Sequence, residues 1–147
     1  MDFILRRSVF VQCDQNELFQ FFADAGNLEV LTPPWVNFQF LTSLPIKMKL
    51  GATVEYRIRL HMIPIRWESE ITDWNPPNSF TDVQTKGPYK KWVHSHTFVP
   101  KENGTVMTDL VSYQVPGGRF INWAFVSKDL NRIFDYRREK ILKLFPS

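Results

Sequence analysis

Two histidines lie between two large aromatic residues at alternate positions of one stretch: Trp92, His94, His96 and Phe98. A Gly-Pro turn signal at residues 87–88 precedes them, and an alternation of period two places all four side chains on one face of a β-strand. A strand face that carries Trp and Phe beside imidazoles faces inward, onto an aromatic and partly polar space. The spacing therefore predicts a cavity with imidazoles in its wall.

The residues that follow predict which partners face this strand. Glu-Asn-Gly at residues 102–104 indicates a hairpin turn, with a last strand from Thr105 to Tyr113. If residues 101–104 form a four-residue loop, Pro100 lies opposite Thr105 and pairing continues outward. The register then gives four facing pairs: Phe98 with Met107, His96 with Asp109, His94 with Val111, and Trp92 with Tyr113. The sequence thus predicts a His96–Asp109 pair flanked by rings.

A carboxylate beside an imidazole has a structural and a functional interpretation, and both stay open at this point. Buried charges are generally paired, so His96 and Asp109 can form a satisfied polar pair. They can also anchor a ligand, or act as an acid–base pair with His96 as the base and Asp109 orienting it. Asp82 and Gln84 alternate with Phe80 on the preceding strand and are expected to add polar atoms to the cavity.

Metal binding is the weaker interpretation of the histidines. His94 and His96 share a face, but no third ligand follows at a recognisable spacing, so we expect no metal and no cofactor. Cys13 lies at a strand–helix junction with no basic neighbour, and we expect an inert small residue rather than a nucleophile.

The composition fits one domain with many rings inside it. Of the 147 residues 44% are hydrophobic, including 13 Phe, 5 Trp and 4 Tyr, and we expect a single domain over residues 1–147 with a core or a ring-lined pocket. The single cysteine excludes an internal disulfide, the N-terminal residues do not resemble a signal peptide, and no apolar run approaches the ~20 residues of a membrane span. These features predict a soluble cytoplasmic protein without integral membrane association.

The net charge of +3 does not by itself indicate a nucleic-acid partner. From Lys128 onward, six basic residues mix with three acidic ones, which is typical of a solvated helix face with i,i+4 ion pairs. No nucleic-acid-binding motif accompanies them, and we expect no nucleic-acid partner. The sequence leaves the oligomeric state open.

The other predicted elements position the strand face described above. A strand over residues 2–11 precedes a helix capped by Asp14 and a short helix over residues 27–31, which Pro33 stops. Further strands are predicted over residues 36–41, 53–60, 65–74 (after a turn at Pro64) and 80–85. A long helix follows from about Phe120 to Leu144. Its expected buried stripe comprises Trp123, Val126, Leu130, Ile133, Phe134, Arg137, Ile141 and Leu144. This order predicts an α+β domain whose curved antiparallel sheet wraps around the last helix.

Several segments of the sequence resemble one family of proteins: residues 27–34, 80–84 with 87–89, 92–98, 104–109 and 113–118. The resemblance is to the helix-grip superfamily, which includes START-type lipid-binding domains, the birch-pollen allergen family and the polyketide cyclase/dehydratase group, and within it to bacterial SRPBCC-type proteins. It covers essentially the whole chain. The resemblance implies a hydrophobic cavity between the sheet and the C-terminal helix, but it does not imply one activity, because members include carriers, sensors, cyclases and domains attached to epimerase-like oxidoreductases.

These observations favour a non-catalytic protein that binds a small, largely hydrophobic molecule in that cavity. The expected polar contacts are Asp82, Gln84, His94, His96 and Asp109, and the expected walls are Tyr56, Trp67, Trp92, Met107, Tyr113 and Trp123. The alternative is a cyclase- or dehydratase-type enzyme that uses His96 and Asp109. A third possibility is a protein-interaction module that uses the basic face of the C-terminal helix.

Overall fold

The computed structural model describes residues 2–146. Its seven strands are β1 (Phe3–Val11), β2 (Gln39–Phe40), β3 (Thr53–Leu60), β4 (Ile63–Asn75), β5 (Ser79–Lys86), β6 (Lys91–Lys101) and β7 (Gly104–Gln114). Its α-helices are α1 (Gln15–Phe22), α2 (Asn27–Val30), α3 (Gly118–Ile121) and α4 (Ser127–Leu144).

The seven strands form one antiparallel sheet in the order β1-β7-β6-β5-β4-β3-β2. The sheet is curved, and the long C-terminal helix packs against its inner face through Leu130, Phe134 and Ile141. The predicted α+β architecture, with a sheet wrapped around the last helix and two short helices after the first strand, is confirmed.

The β6–β7 hairpin has the predicted register. His96 lies opposite Asp109, and the other three facing pairs are also as expected. The loop is shorter than predicted, because Lys101 pairs with Gly104 and only two residues make the turn. Gly104 is required there, since an added Cβ would lie 2.3 Å from the carbonyl oxygen of Val11 on the neighbouring strand.

Helix α1 begins where its sequence predicts. The Asp14 side chain accepts a hydrogen bond from the Asn16 backbone N–H at 3.0 Å, which satisfies one of the free donors of the first turn. The helix buries Leu18, Phe19 and Phe22 against the sheet. An apolar face and a cap together explain why this segment could be predicted from sequence.

Two strand boundaries differ from prediction. Residues Pro34–Val36 form a 3₁₀ turn that ends at Asn37 in the left-handed region (φ 48°), so the predicted strand over residues 36–41 is reduced to β2. The predicted turn at Pro64 is wrong by two residues, because His61 and Met62 take positive φ values of 51° and 70° and make the turn. Pro64 instead lies in β4, opposite Arg59.

The C-terminal helix contains a π-helical turn over Asn122–Val126, between α3 and α4. Because a π turn takes an extra residue, side chains before it are rotated out of phase with the stripe on α4. Leu130 and Ile141 are buried as predicted, whereas Trp123 is 68% exposed and Leu144, the last residue of α4, is 41% exposed. The prediction that these two belong to the buried stripe is wrong. No helix within residues 2–146 is both long and apolar enough to cross a membrane.

Candidate functional site

A cavity of about 190 Å³ lies between the inner face of the sheet and α4. Six of the residues predicted to contact a ligand line it: Tyr56, Trp67, Asp82, Trp92, His94 and His96. Sequence reasoning missed others, which include Phe22, Leu31, Val36, Phe38, Ile58, Ile71, Phe80, Tyr89, Leu130, Phe134 and Arg137. The exposed Asp24 and the half-buried Leu28 also line the cavity, so it reaches the surface beside α2.

Rings from neighbouring strands make one wall of the cavity. Tyr56 on β3 stacks on Trp67 of β4 with ring centroids 6.1 Å apart, and Trp67 meets Trp92 of β6 edge-on at 5.2 Å. The Trp67 indole N–H donates to the Ser69 hydroxyl at 2.9 Å, so the ring's polar atom is satisfied. The wall therefore presents apolar ring surface to the cavity.

Polar groups collect at one end of the cavity. Asp109 Oδ1 lies 2.8 Å from His94 Nε2 and 3.4 Å from His96 Nδ1, and it accepts a hydrogen bond from Arg137 Nη2 at 3.2 Å. His96 Nε2 lies 2.8 Å from Asp82 Oδ2. The two imidazole rings stack with centroids 3.7 Å apart. One buried network therefore joins α4 to three strands.

The hydrogen bonds differ from the pair that register alone predicts. His96 faces Asp109 across the ladder, but the 2.8 Å contacts join His94 to Asp109 and His96 to Asp82. Both are diagonal neighbours, which long side chains on adjacent strands can reach. Arg137 contributes by holding the Asp109 carboxylate from the helix side. Asp82 is therefore a full member of the network.

The network sets the charge of its members. Burial opposes the charge of His96, but the carboxylates of Asp109 and Asp82 outweigh it and raise the pKa of His96. Burial and the neighbouring His96 charge together lower the pKa of His94. Burial disfavours a charged Asp109, yet Arg137 and the two imidazoles hold its pKa well below the usual range. Burial also disfavours a charged Asp82, whose hydrogen bond from His96 lowers its pKa.

The two tyrosines of the cavity wall remain neutral hydroxyls. Burial, with a smaller effect of the Asp82 charge, raises the pKa of Tyr56, and burial raises the pKa of Tyr89. A neutral phenol at the wall can donate one hydrogen bond to a bound molecule.

Five residues predicted as ligand contacts do not line the cavity: Gln84, Met107, Asp109, Tyr113 and Trp123. Gln84 instead braces Tyr89, because its side-chain amide donates to the Tyr89 carbonyl at 2.8 Å and accepts from the Tyr89 N–H at 3.1 Å. Asp109 lies behind the histidines and acts on the cavity through them.

The other three residues, Met107, Tyr113 and Trp123, are kept out of the cavity wall by their surroundings. Met107 is 1% exposed and packs in the solid part of the core. The Tyr113 hydroxyl donates to Asn122 Oδ1 at 2.8 Å, which ties the ring to the π-helical turn. Trp123 points to solvent because that turn rotates it away from the sheet. Its assignment to the cavity wall is wrong.

Arg137 lines the cavity although the sequence did not predict it as a ligand contact. It is 8% exposed and its guanidinium also lies over the Phe22 ring, 5.2 Å from the centroid. The sequence does contain a sign of this role, because Arg137 is a charged residue in an otherwise apolar helix stripe and a buried charge needs a partner.

The polar end of the cavity also contains three side chains that can bind a metal ion. They lie on two strands, so the spacing along one strand could not reveal them. One ligand atom each from Asp82, His94 and His96 lie within 4.8 Å of one another. Asp82 is on β5 and faces His94 on β6, so the third donor comes from a neighbouring strand.

Comparison with solved structures identifies the architecture. Ginseng major latex-like protein 151 from Panax ginseng superimposes with a TM-score of 0.73 at 14% identity, covering 99% of each chain. A protein from Mycobacterium smegmatis matches with a TM-score of 0.71 at 18% identity, over 96% of this chain and 89% of that one. The chain has the helix-grip fold. At such identities the likeness establishes the fold alone, and it confirms the expected birch-pollen-allergen type of architecture.

A third solved structure shows the same fold inside a larger protein. The nucleoside-diphosphate sugar epimerase from Corynebacterium glutamicum matches 95% of this chain with 28% of its own, with a TM-score of 0.69 and 24% identity. No family model matches the sequence, and no curated protein matches it.

Proposed function

We propose that this protein binds a small, largely apolar molecule in the cavity between the sheet and the C-terminal helix. The observation that carries the proposal is the cavity itself, which is walled by rings and has its polar groups collected at one end. Ligand sites in proteins typically combine a mostly apolar lining with a few convergent polar groups. The helix-grip fold supplies the position of the cavity but not the identity of the ligand.

The size of the cavity limits the ligand. Its volume of about 190 Å³ exceeds that of an engineered apolar cavity of about 150 Å³ that takes up benzene. A compact one- or two-ring molecule therefore fits better than a long acyl chain. The imidazoles and the Asp82 carboxylate favour a ligand with one hydroxyl or carbonyl group, oriented toward the polar end.

An enzyme of the cyclase or dehydratase type is the second candidate, and the buried Arg137–Asp109–His96 chain next to the cavity favours it. The geometry does not favour the role of base that the sequence suggested for His96. His96 Nε2 lies 2.8 Å from Asp82 Oδ2 and its Nδ1 lies 3.4 Å from Asp109 Oδ1, so both ring nitrogens face carboxylates of the network. We therefore place binding ahead of catalysis.

We also place the protein in the cytoplasm, where its single buried thiol, Cys13, would remain reduced. A protein-interaction role is the third candidate. The basic helix face is less basic than the sequence suggested, because Arg137 is buried.

A small naphthol tests the proposal. We expect 2-naphthol, which has two fused rings and one hydroxyl, to raise the melting temperature with increasing concentration, since a ligand at 100 times its Kd stabilises the native state by about 2.7 kcal/mol. Ile58→Trp should remove this effect by filling the cavity. Arg57→Trp places the same bulk on the outer face of β3 and should retain it.

Three results would count against the proposal. They are an unchanged melting temperature at the solubility limit of 2-naphthol, an undiminished response in Ile58→Trp, or an equal loss in Arg57→Trp. Cooperative melting of both variants without ligand checks that they fold. Recovery of chemically unchanged 2-naphthol after incubation separates binding from turnover of this probe.

A further inference from the structure

The two stacked histidines lie between carboxylates in an arrangement that is compatible with metal binding. Both rings turn one nitrogen toward the same atom, Asp109 Oδ1, at 2.8 Å for His94 Nε2 and 3.4 Å for His96 Nδ1. Histidines that bind metals usually donate their second ring N–H to a carboxylate, which fixes the tautomer. Asp109 can do this for His94, whereas His96 Nδ1 lies near the same oxygen without forming a hydrogen bond. Arg137 holds the carboxylate in place.

That orientation leaves the opposite nitrogens available on the cavity side. His94 Nδ1 has no hydrogen-bond partner among residues 2–146. His96 Nε2 has only the Asp82 carboxylate, which is itself a metal-ligand group, at 2.8 Å. One donor atom from each of the three residues lies within 4.8 Å of the others, close enough for modest side-chain rotations to bring all three around one ion.

The charges of the surroundings favour a cation at this place. Asp82 and Asp109 contribute two negative charges, and Arg137 contributes one positive charge. The side chains of Asp109 and His94 are 9% and 7% exposed, so their charges are weakly screened by solvent. Two imidazoles and one carboxylate are the donor set of zinc and related divalent transition metals, rather than of Mg²⁺ or Ca²⁺, which prefer oxygen.

We propose that Asp82, His94 and His96 bind one divalent transition-metal ion, of the Zn²⁺ class, at the polar end of the cavity. Asp109 and Arg137 orient the two histidines from behind. Three protein ligands leave a coordination position open, as in zinc sites that accept water or a small molecule. That position faces the cavity, so a hydroxyl or carbonyl group of a bound molecule could occupy it. The metal site itself does not depend on uptake of an apolar ligand.

Zinc alone tests this site. Protein freed of metal by a chelator should bind one equivalent of Zn²⁺ in competition with a chromophoric chelator. His94→Gln, His96→Gln and Asp82→Asn should each weaken binding at least 100-fold. Asp109→Asn should weaken it by about 10–100-fold, as loss of an orienting carboxylate does. His61→Ala is the matched control, because His61 is the third histidine of the chain and pairs with Asp129 on the surface.

Spectroscopy of the wild-type protein covers the case in which a variant fails to fold. Added Zn²⁺ should shift the ring resonances of His94 Nδ1 and His96 Nε2 in long-range ¹H–¹⁵N spectra, and Co²⁺ should give visible bands of a four- or five-coordinate site. The proposal is overturned if 1 mM Zn²⁺ leaves these nitrogens unshifted, or if binding survives in His94→Gln and His96→Gln. It is also overturned if His61→Ala removes the binding. The arrangement would then be a hydrogen-bonded network only.

Discussion

The two ends of the β6–β7 hairpin use the same alternation for different purposes. Near the turn, Phe98 and Met107 are each 1% exposed and pack in the solid core, where the Phe19 ring of α1 lies 5.3 Å from that of Phe98. At the far end, Trp92 lines the cavity instead. Residue type does not distinguish these ends, since both are rich in large apolar side chains.

The difference lies in the element that covers each end. Helix α1 lies directly on the turn end and fills the space with Leu18 and Phe19, which are both fully buried. The far end is covered by α4, whose Leu130 and Phe134 leave about 190 Å³ between helix and sheet. The polar network lies between the two ends and marks the boundary of the cavity. Whether an aromatic ring on this hairpin lies in the solid core or in the cavity wall therefore depends on which helix covers it.

The solid end should be the most sensitive to loss of volume. Phe19→Ala removes a side chain with no solvent exposure that contacts the rings of Trp74, Phe80 and Phe98. We expect the free energy of unfolding to fall by about 3–5 kcal/mol, as for other buried Phe truncations. Urea denaturation measures it, and a loss below about 1.5 kcal/mol would show that this region is not tightly packed.

The boundary between the two ends should also respond strongly. Asp109→Asn leaves the buried Arg137 guanidinium without its carboxylate, and removing one partner of a buried pair costs about 3 kcal/mol or more. Asp135→Asn is the control, because that carboxylate is 61% exposed and its ion pair with Arg7 should contribute less than about 1 kcal/mol. Similar losses in both variants would contradict the assignment of Asp109 as a buried, paired charge.

Truncation of two isoleucines provides a direct comparison between the solid core and the cavity wall. Ile141 is 1% exposed in the solid core, whereas Ile58 lines the cavity. We expect Ile141→Ala to lower the free energy of unfolding by about 3 kcal/mol and Ile58→Ala by about half as much, because a residue beside existing space has fewer contacts to lose. Equal losses in urea denaturation would indicate that the cavity closes in solution.

The smallest effect is expected before the π-helical turn. Trp123 is 68% exposed and contacts mainly Phe120 and the Lys128 ammonium group. Trp123→Ala should change the free energy of unfolding by no more than about 0.5 kcal/mol, as is usual for surface substitutions. A loss of several kcal/mol would indicate that the Trp123 ring is buried in the helix stripe, as the sequence predicted.

Local patterns were sufficient to predict most of the fold. The Glu-Asn-Gly turn and the alternation on either side of it fixed the hairpin register, because a shift of one residue would turn every ring to solvent. The cap at Asp14 and the apolar face after it fixed α1. The π-helical turn could not be predicted, since no residue type within 122–126 marks an extra residue in a helical turn, and Trp123 was misplaced for that reason.

Only those features of the site that follow from the alternation along a single strand or from the register of the hairpin could be predicted from the sequence. The spacing placed His94 and His96 on the cavity face, but the choice of hydrogen-bond partner depends on diagonal contacts between strands and on Arg137 reaching in from α4. Tyr56 of β3 was predicted to lie in the wall, whereas Phe22, Leu31 and Leu130 required knowledge of how three helices lie on the sheet.

The position of a bound apolar molecule tests the central claim most directly. In protein with labelled isoleucine and leucine methyl groups, nuclear Overhauser effects from the ring protons of 2-naphthol should reach the methyl groups of Ile58, Ile71 and Leu130, which line the cavity. Contacts confined to the exposed rings of Phe120 and Trp123, or the absence of any contact to these methyl groups under saturating conditions, would contradict it.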